Sequence, residues 1–426
     1  MRTHLSLTLG GVALLAALPL LLPAGLLNAS VQMLIAALFA CAFSLLAGRA
    51  GMLSFGHAAY FGVGAFGTAH AMNALGGTGL LPTPLLPLVG AGAGLALGIV
   101  AGWFATQRSG TAFAMITLAI AELLHALAPQ LKGWFGGESG VSTMRMPAWG
   151  FNFGSTTQVY YLTLAWVLVS LALLYFHAST PLGRLTLALR ENGHRLKFLG
   201  YGVHGLGVSA FAISAMFSGI AGGLQVMGNE SANYASFDAG VSASVVLNSY
   251  IGGVGTFLGP ALGAALMTFF GYVVSDATQA WLLYQGVLFV LVMMFMPDGL
   301  TGLFTATGRL LRRHGIVAVL PLGAMSILAA LLLSAGVVFI VDLLQRLFSQ
   351  DHRSLARMSA SAVPVMLFGR AWFATALSTW FVPAGLLATG ALMAWAARRA
   401  HQDLARVAAQ DAPAPAVGSS STEAAQ

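Results

Sequence analysis

Apolar runs of membrane-spanning length recur along most of this chain, separated by short polar breaks. An α-helix needs roughly 20 apolar residues to cross a bilayer core, whereas barrel strands alternate in shorter segments. The pattern predicts spans near residues 5–27, 31–48, 52–73, 85–106, 111–130, 158–177, 206–227, 241–258, 260–276, 281–297, 315–341 and 371–396. The expected fold class is all-α: a polytopic integral membrane helical bundle of about 10–12 transmembrane helices, fewer where a segment enters and leaves by the same face.

The largest polar interruption, TPLGRLTLALRENGHRLKFLGYGV, predicts a loop over residues 180–205. It carries Arg184, Arg190, Glu191, Asn192, His194, Arg195 and Lys197, with Leu187, Leu189, Leu196 and Leu199 interleaved. Such a pattern suits a short amphipathic helix lying along the membrane surface. Its length and mixed charge favour a docking element for a soluble protein over a solvated loop that only sets orientation. Beyond it, Leu343, Leu344, Leu347 and Phe348 have helical spacing beside Arg346, which predicts an interfacial helix within 342–370. The chain divides into a main membrane domain over 1–304, an added two-span extension over 305–400 and a small, polar, Pro-containing tail over 401–426, expected to be disordered.

Composition agrees with the pattern. The 426 residues are 58% hydrophobic and 7% charged, against roughly 25% charged in soluble domains. Too little charge is present to coat an aqueous fold of this size. The formal charge of +7 is spread over the breaks between spans and is no signal for nucleic acid. With the N-terminus cytoplasmic, 13 of the 19 Lys and Arg residues fall on the cytoplasmic side, as the positive-inside rule requires, and so do both termini and the 180–205 loop. The apolar run that follows Arg2 is longer than the core of a signal peptide, so it reads as a retained first helix. Cys41 is the one cysteine, which leaves no intrachain disulfide and no cysteine metal cluster.

Candidate chemistry is sparse. RAGMLSFGHAAYFGVGAF places Ser54, Gly56 and His57 in a glycine-rich stretch. It reads either as a broken helix lining a path or as close helix packing with His57 satisfied by a neighbour. Glu122 stands in the run ITLAIAELLHALA, with His125 one turn on. A carboxylate there must face water or a partner. Gly252, Gly253 and Gly255 belong to a glycine-rich turn, GGVGTFLGP, that lacks the Lys-Ser/Thr ending of a phosphate loop. Neither G-x-S-x-G nor H-E-x-x-H occurs. Glu122 keeps an ion-coupled secondary transporter in view. Ser54 with His57 keeps, more weakly, an intramembrane hydrolase.

SFGHAAYFGVGAF, TLAIAE, GGESGVSTMRMP, TPLGRLTLALRENGHRLKFLGYGV, FAISAMFSGIAGGL, IGGVGTFLGPALGAAL and MPDGLTGL occur in that order. This ordered set resembles the branched-chain amino acid ABC transporter permease family, more closely its M-type subunit than its H-type, over roughly residues 30–304. The resemblance implies a bacterial inner-membrane permease subunit of an ATP-driven importer. Its substrates would be branched-chain amino acids or related solutes such as urea, amides or aromatic acids. It implies a second permease subunit, two ABC ATPases and a periplasmic substrate-binding protein as partners, with ATP and Mg held in the ATPases and no cofactor on this chain. It places Gly183, Arg184, Arg190, Glu191, Asn192 and Gly200 in the ATPase-coupling motif. Ser54, Gly56, His57, Glu122, Gly252, Gly253 and Gly255 become the expected pathway residues. Two departures stand out. Leu206 replaces a basic residue usual in the family, and Asn248, Ser249 and Tyr250 replace apolar ones.

Overall fold

The computed structural model describes residues 2–78, 80–277, 280–296, 298–350, 364–367, 370–373 and 376–410. Two compact units divide the chain, Met1–Phe304 and Thr305–Gln426.

The first unit opens with α1 (Arg2–Leu21) and α2 (Ala24–Ser44). The expected span over 5–27 stops at Leu21, because Pro23 disfavours helix in the residue before it. After Ser44 the helix widens into a π turn, Leu45–Arg49, and the chain then leaves helical geometry until α3 (His57–Leu75). There follow α4 (Pro87–Ala105), α5 (Thr111–Leu127), the single turn α6 (Lys132–Phe135), α7 (Thr156–Ser179), α8 (Pro181–Phe198) and α9 (Val203–Asn229). The unit continues with α10 (Ala239–Gly252), α11 (Gly259–Ala277) and α12 (Trp281–Phe295). Two short antiparallel strands, β1 (Val141–Ser142) and β2 (Ser231–Ala232), tie the loop after α6 to the end of α9.

The centre of this unit is built on glycine. Gly90, Gly94, Gly98 and Gly102 recur every fourth residue along one face of α4 and pack against α9. A Cβ at Gly94 would lie 2.5 Å from the Ala215 carbonyl oxygen, and one at Gly219 would lie 2.2 Å from that of Gly90. On the α3 side, a Cβ at Gly64 would lie 2.3 Å from the Gly219 Cα. Three helices therefore meet backbone to backbone. Close packing of this kind holds helices together where lipid supplies no hydrophobic drive. Beside this seam, Phe43, Tyr60, Phe113 and Phe211 are fully buried.

Among the described residues, six helices are long and apolar enough to cross a membrane, or seven if α5 and the segment Lys132–Ser139, bent by 93°, count as one broken span. The bundle is all-α and polytopic, as expected. Several expected spans are shorter. The run 241–258 yields only the 14 residues of α10, about 21 Å of helix against a bilayer core of roughly 30 Å. Gly252 and Gly253 end it, and α11 packs back on it with the Gly263 Cα position facing the Gly252 backbone. The expected 180–205 loop is mostly the helix α8.

The second unit contains the greater part of α13 (Gly299–Phe348), the hairpin β3 (Val365–Leu367) and β4 (Arg370–Trp372), and α14 (Leu377–Gln410). Close approaches of Gly336 to Leu387 and of Gly390 to Leu333 join the two helices. Phe339, Leu343 and Val365 form a small core, and the Trp372 ring meets Phe339 edge to face at 5.0 Å. Two expectations change here. Leu343, Leu344 and Leu347 belong to the last turns of α13, which runs unbroken to Phe348, and residues 351–363 lie outside the described residues. Of the tail expected to be disordered, His401–Gln410 instead continues α14. HQDLARVAAQ is rich in helix formers and free of Gly and Pro. Residues 411–426 lie outside the described residues.

Candidate functional site

The charged segment is held to the bundle by its first turn. Thr180 caps α8: its Oγ1 accepts a hydrogen bond from the Gly183 amide at 3.2 Å, and Pro181 occupies the first turn. Gly183 is buried against α7, where a Cβ would lie 2.2 Å from the His177 carbonyl oxygen. Thr186, also buried, donates to the Gly183 carbonyl at 2.8 Å. The helix breaks at Asn192, whose φ of −159° and ψ of 94° are extended. The Asn192 Oδ1 accepts from the Arg195 amide at 2.9 Å, so this residue caps a second short helical piece.

The six expected coupling residues therefore separate by direction. Gly183 packs inward and Asn192 shapes the break. Arg184, Arg190, Glu191, Asn192 and Gly200 are all exposed. Arg190 reaches back into the bundle, where its guanidinium donates to the Gly48 carbonyl oxygen in the π turn. Its side chain lies over Gly51, where a Cβ would come within 2.8 Å of the Arg190 Cγ. Gly51 has φ +70°, a left-handed conformation that a side chain resists. A second arginine runs the other way: Arg49 donates to the Ala178 carbonyl at the end of α7, at 2.9 Å. Each arginine satisfies a carbonyl at a helix C-terminus, where cations are favoured. The exposed tip of α8 and its turn carries Leu187, Phe198, Leu199 and Tyr201, with Phe198 90% exposed. Gly48 was not singled out from the sequence, and Arg49 and Gly51 stood there only as members of the run RAGMLSFGHAAYFGVGAF. The signal available was a basic residue and two glycines at the end of an apolar run.

The glycine-rich stretch after the π turn is packed, not open. Ser54, Gly56 and His57 are all buried. The Ser54 Oγ accepts from the Gly56 amide at 3.3 Å, the Phe55 amide donates to Thr117 Oγ1 at 3.2 Å, and a Cβ at Gly56 would lie 1.9 Å from the Thr117 carbonyl oxygen. The Ala58 amide donates to the Ser242 Oγ at 2.9 Å, so α10 supplies the cap for α3. His57 Nε2 lies 2.8 Å from the Ser214 Oγ, and that hydroxyl donates to the Ala42 carbonyl at 2.6 Å. A hydroxyl has one proton, so His57 must donate from Nε2. The imidazole thus ties α3 to α9 and, through Ser214, to α2. Its hydrogen-bond partner is not Ser54, and Ser214 directs its proton away from it.

Glu122 sits on the exposed face of α5, with its Oε2 3.9 Å from His125 Nδ1. The His125 ring stacks on Tyr234 at 5.8 Å. The late glycines form a seat. Gly253, at φ +102°, has the Asp298 carbonyl oxygen 2.4 Å from its Cβ position, and Thr301 Oγ1 donates to the Gly252 carbonyl at 3.1 Å. Gly255 has open space around it. Leu206, in place of a basic residue, is buried in the bundle. Outside the loop, Arg145 Nε pairs with Glu230 Oε1 at 3.0 Å, and its Nη1 donates to the Met227 carbonyl at 2.8 Å, which caps α9. A cavity of about 400 Å³ lies between α2, α10, α11 and α12 and is lined in part by Asn248, one of the family departures.

The model of a protein family described as branched-chain amino acid transport system / permease component matches residues 25–297. The high-affinity branched-chain amino acid transport system permease protein LivM of Salmonella typhimurium is 27% identical over 307 residues, 66% of this chain and 71% of its own length. The protein of the same name from Escherichia coli K12 is 26% identical over 314 residues, 68% of this chain and 73% of its own. No solved structure matches the chain.

Proposed function

Since this chain belongs to the family of branched-chain amino acid transport permease components, we propose that it is the membrane-spanning subunit of an ATP-driven importer and that α8 receives the ATPase. The substrate would be a branched-chain amino acid or a related small solute. A second permease subunit would complete the channel, two ATPases would dock on the cytoplasmic side, and a periplasmic binding protein would deliver substrate. The 1–304 unit would form the channel, and 305–400 would stand as an added extension. ATP and its Mg would belong to the partner chains.

The observation that carries this reading is the Arg190 link from α8 to the π turn, which Arg49 in turn ties to the end of α7. The outer surface of α8 presents Arg184, Glu191, Phe198 and Leu199 to solvent, while Arg190 and Gly183 fasten it to α2 and α7. A docked ATPase that shifted α8 would move the π turn through Arg190 and the end of α7 through Gly183. From the π turn the chain runs directly into the buried Ser54–His57 stretch and α3. Alternating access needs two arrangements that the ATPase binds with different affinity. A coupling helix anchored at both the π turn and α7 supplies the mechanical connection.

The test is co-purification of the tagged full-length chain from mild detergent, with partners identified by mass spectrometry. We expect ATPases and a second permease with the wild type. The double variant Arg184→Ala/Glu191→Ala should lose the ATPases and keep the permease. Recovery of the chain alone, in lipid nanodiscs as well as detergent, overturns the reading and turns attention to Glu122 and His125 as an ion-coupling pair.

A further inference from the structure

The cavity between α2, α10, α11 and α12 is mostly apolar in surface, set with uncharged polar side chains and no charge. Gln32, Ser244, Asn248, Thr268 and Gln285 line it from four helices, with Trp281 at its side. No acidic, basic or histidine side chain is among its lining residues. Carboxamides in apolar helices are costly to bury without hydrogen bonds. Here they are partly paired: Gln285 Nε2 donates to Asn248 Oδ1 at 3.3 Å, and Gln32 Nε2 donates to Asn229 Oδ1 at 3.3 Å. The pairing leaves capacity. Among the described residues, the Asn248 amide protons, the Gln285 Oε1 and the Thr268 hydroxyl have no hydrogen-bond partner. Exchanging O and N of both amides still leaves one set of amide protons and one carbonyl oxygen free. Donor and acceptor thus sit side by side, across the gap between α10 and α12.

We propose that this cavity binds a small uncharged solute that both donates and accepts hydrogen bonds, of the primary carboxamide class, held by Asn248 and Gln285. A carboxamide answers the free donor and the free acceptor together. A carboxylate or ammonium group would enter a low-dielectric site without a counter-charge, which is heavily penalised. The volume falls within the range of small-molecule sites. Trp281 and Met267 supply the apolar part of the wall. The proposal rests on the permease reading for the use made of the solute, and on the cavity alone for its binding.

The test uses the full-length chain in lipid nanodiscs with Cys41→Ala as background. Thr268→Cys places a thiol in the cavity, and Ser139→Cys gives an exposed loop reference. Iodoacetamide, itself a carboxamide, and iodoacetate, its anionic counterpart, are compared by alkylation rate. Relative to the loop thiol, we expect iodoacetamide to react with the cavity thiol about tenfold faster than iodoacetate, and propionamide to slow that reaction about threefold. Asn248→Leu and, as a variant that better preserves side-chain length, Gln285→Met should each abolish the protection while eluting like the wild type. Absence of protection by propionamide in the parent, or protection undiminished in both variants, overturns the proposal. ATP-driven uptake is scored separately. Uptake without protection removes the site alone, and protection without ATP-driven uptake supports the site while removing the transport reading.

Discussion

The Arg190 guanidinium donates its hydrogen bond to the carbonyl oxygen of Gly48, 142 residues earlier in the chain. This joins the charged helix α8 to the π turn that ends α2. The last carbonyls of a helix lack intrahelical partners, and a cation placed there is favoured by both hydrogen bonding and the helix dipole. Arg190 is exposed like its neighbours Arg184 and Glu191, but its guanidinium reaches back to the bundle.

Replacing Arg190 should separate ATP hydrolysis from transport. Arg190→Ala removes a charge-assisted hydrogen bond, worth about 1.5–3 kcal/mol when made to a charged group, with solvent exposure moving it toward the lower end. We expect uptake in proteoliposomes with the assembled ATPases to fall about tenfold while ATPase turnover persists. Arg190→Lys keeps the charge without the planar fork and should fall between. Gly51→Val should reproduce the defect with Arg190 left unmutated, because a left-handed β-branched residue is strained and collides with the arginine stem. Parallel loss of ATPase and uptake in all three would place Arg190 in docking, not transmission.

His57 and Ser54 should behave oppositely from what a hydrolytic pair requires. His57 ties three helices through Ser214, so His57→Ala leaves a cavity and strands a buried hydroxyl acceptor. A loss of about 2–4 kcal/mol is expected, read as lower thermal stability in detergent. His57→Gln, which can present an N–H toward Ser214, should recover part of it. Ser54→Ala removes only the hydroxyl that accepts the Gly56 amide and should cost about 1 kcal/mol, with transport retained. Ser54→Ala abolishing turnover of a solute at wild-type stability would revive the hydrolase reading.

The sequence made the fold class legible because span length is a direct consequence of bilayer thickness. The amphipathic character of α8 was legible for a similar reason, since leucines interleaved with charge have one stable orientation at a surface. Directions within it were not. Arg190 and Arg184 look alike in sequence, and only the fold brings Gly48 to one of them. The His57 tether depends on Ser214, 157 positions away, and local pattern has no means of pairing them. The end of α10 was hidden because no charged residue interrupts 241–258, while Gly252 and Gly253 stop the helix through their fit to Gly259 and Asp298. The α4 glycine repeat was visible in GAGAGLALGIVAG, yet its meaning required α9 opposite it.

Glu122 is expected to matter for function more than for folding. It is exposed on α5 and 3.9 Å from His125, a geometry worth about 0.5 kcal/mol or less for a pair within one helix. Glu122→Gln should leave the thermal midpoint unchanged. An exposed carboxylate on so apolar a helix leaves a partner chain or a solute path to neutralise it. We expect the variant to change uptake rate or solute preference in proteoliposomes, and wild-type uptake kinetics would reduce Glu122 to a surface residue.

Two glycines of α4, two residues apart, should respond in opposite ways to the same added methyl. Gly94 faces α9, and a Cβ there would lie 2.5 Å from the Ala215 carbonyl oxygen and 3.0 Å from the Gly219 Cα. Both obstacles are backbone, so a side-chain rotation gives no relief and the helices must part. Gly94→Ala should therefore cost about 1–3 kcal/mol by overpacking, and Gly94→Leu should prevent assembly of the bundle. Gly92 lies on the opposite, exposed face with nothing near its Cβ position. Gly92→Ala adds no collision and removes the entropic penalty of glycine in a helix, a gain of up to about 1 kcal/mol. Thermal unfolding of the two alanine variants in the same detergent checks the contrast. Equal behaviour would mean that α4 and α9 do not meet along the Gly90–Gly102 face, and the position of α3 against Gly219 would fall with it.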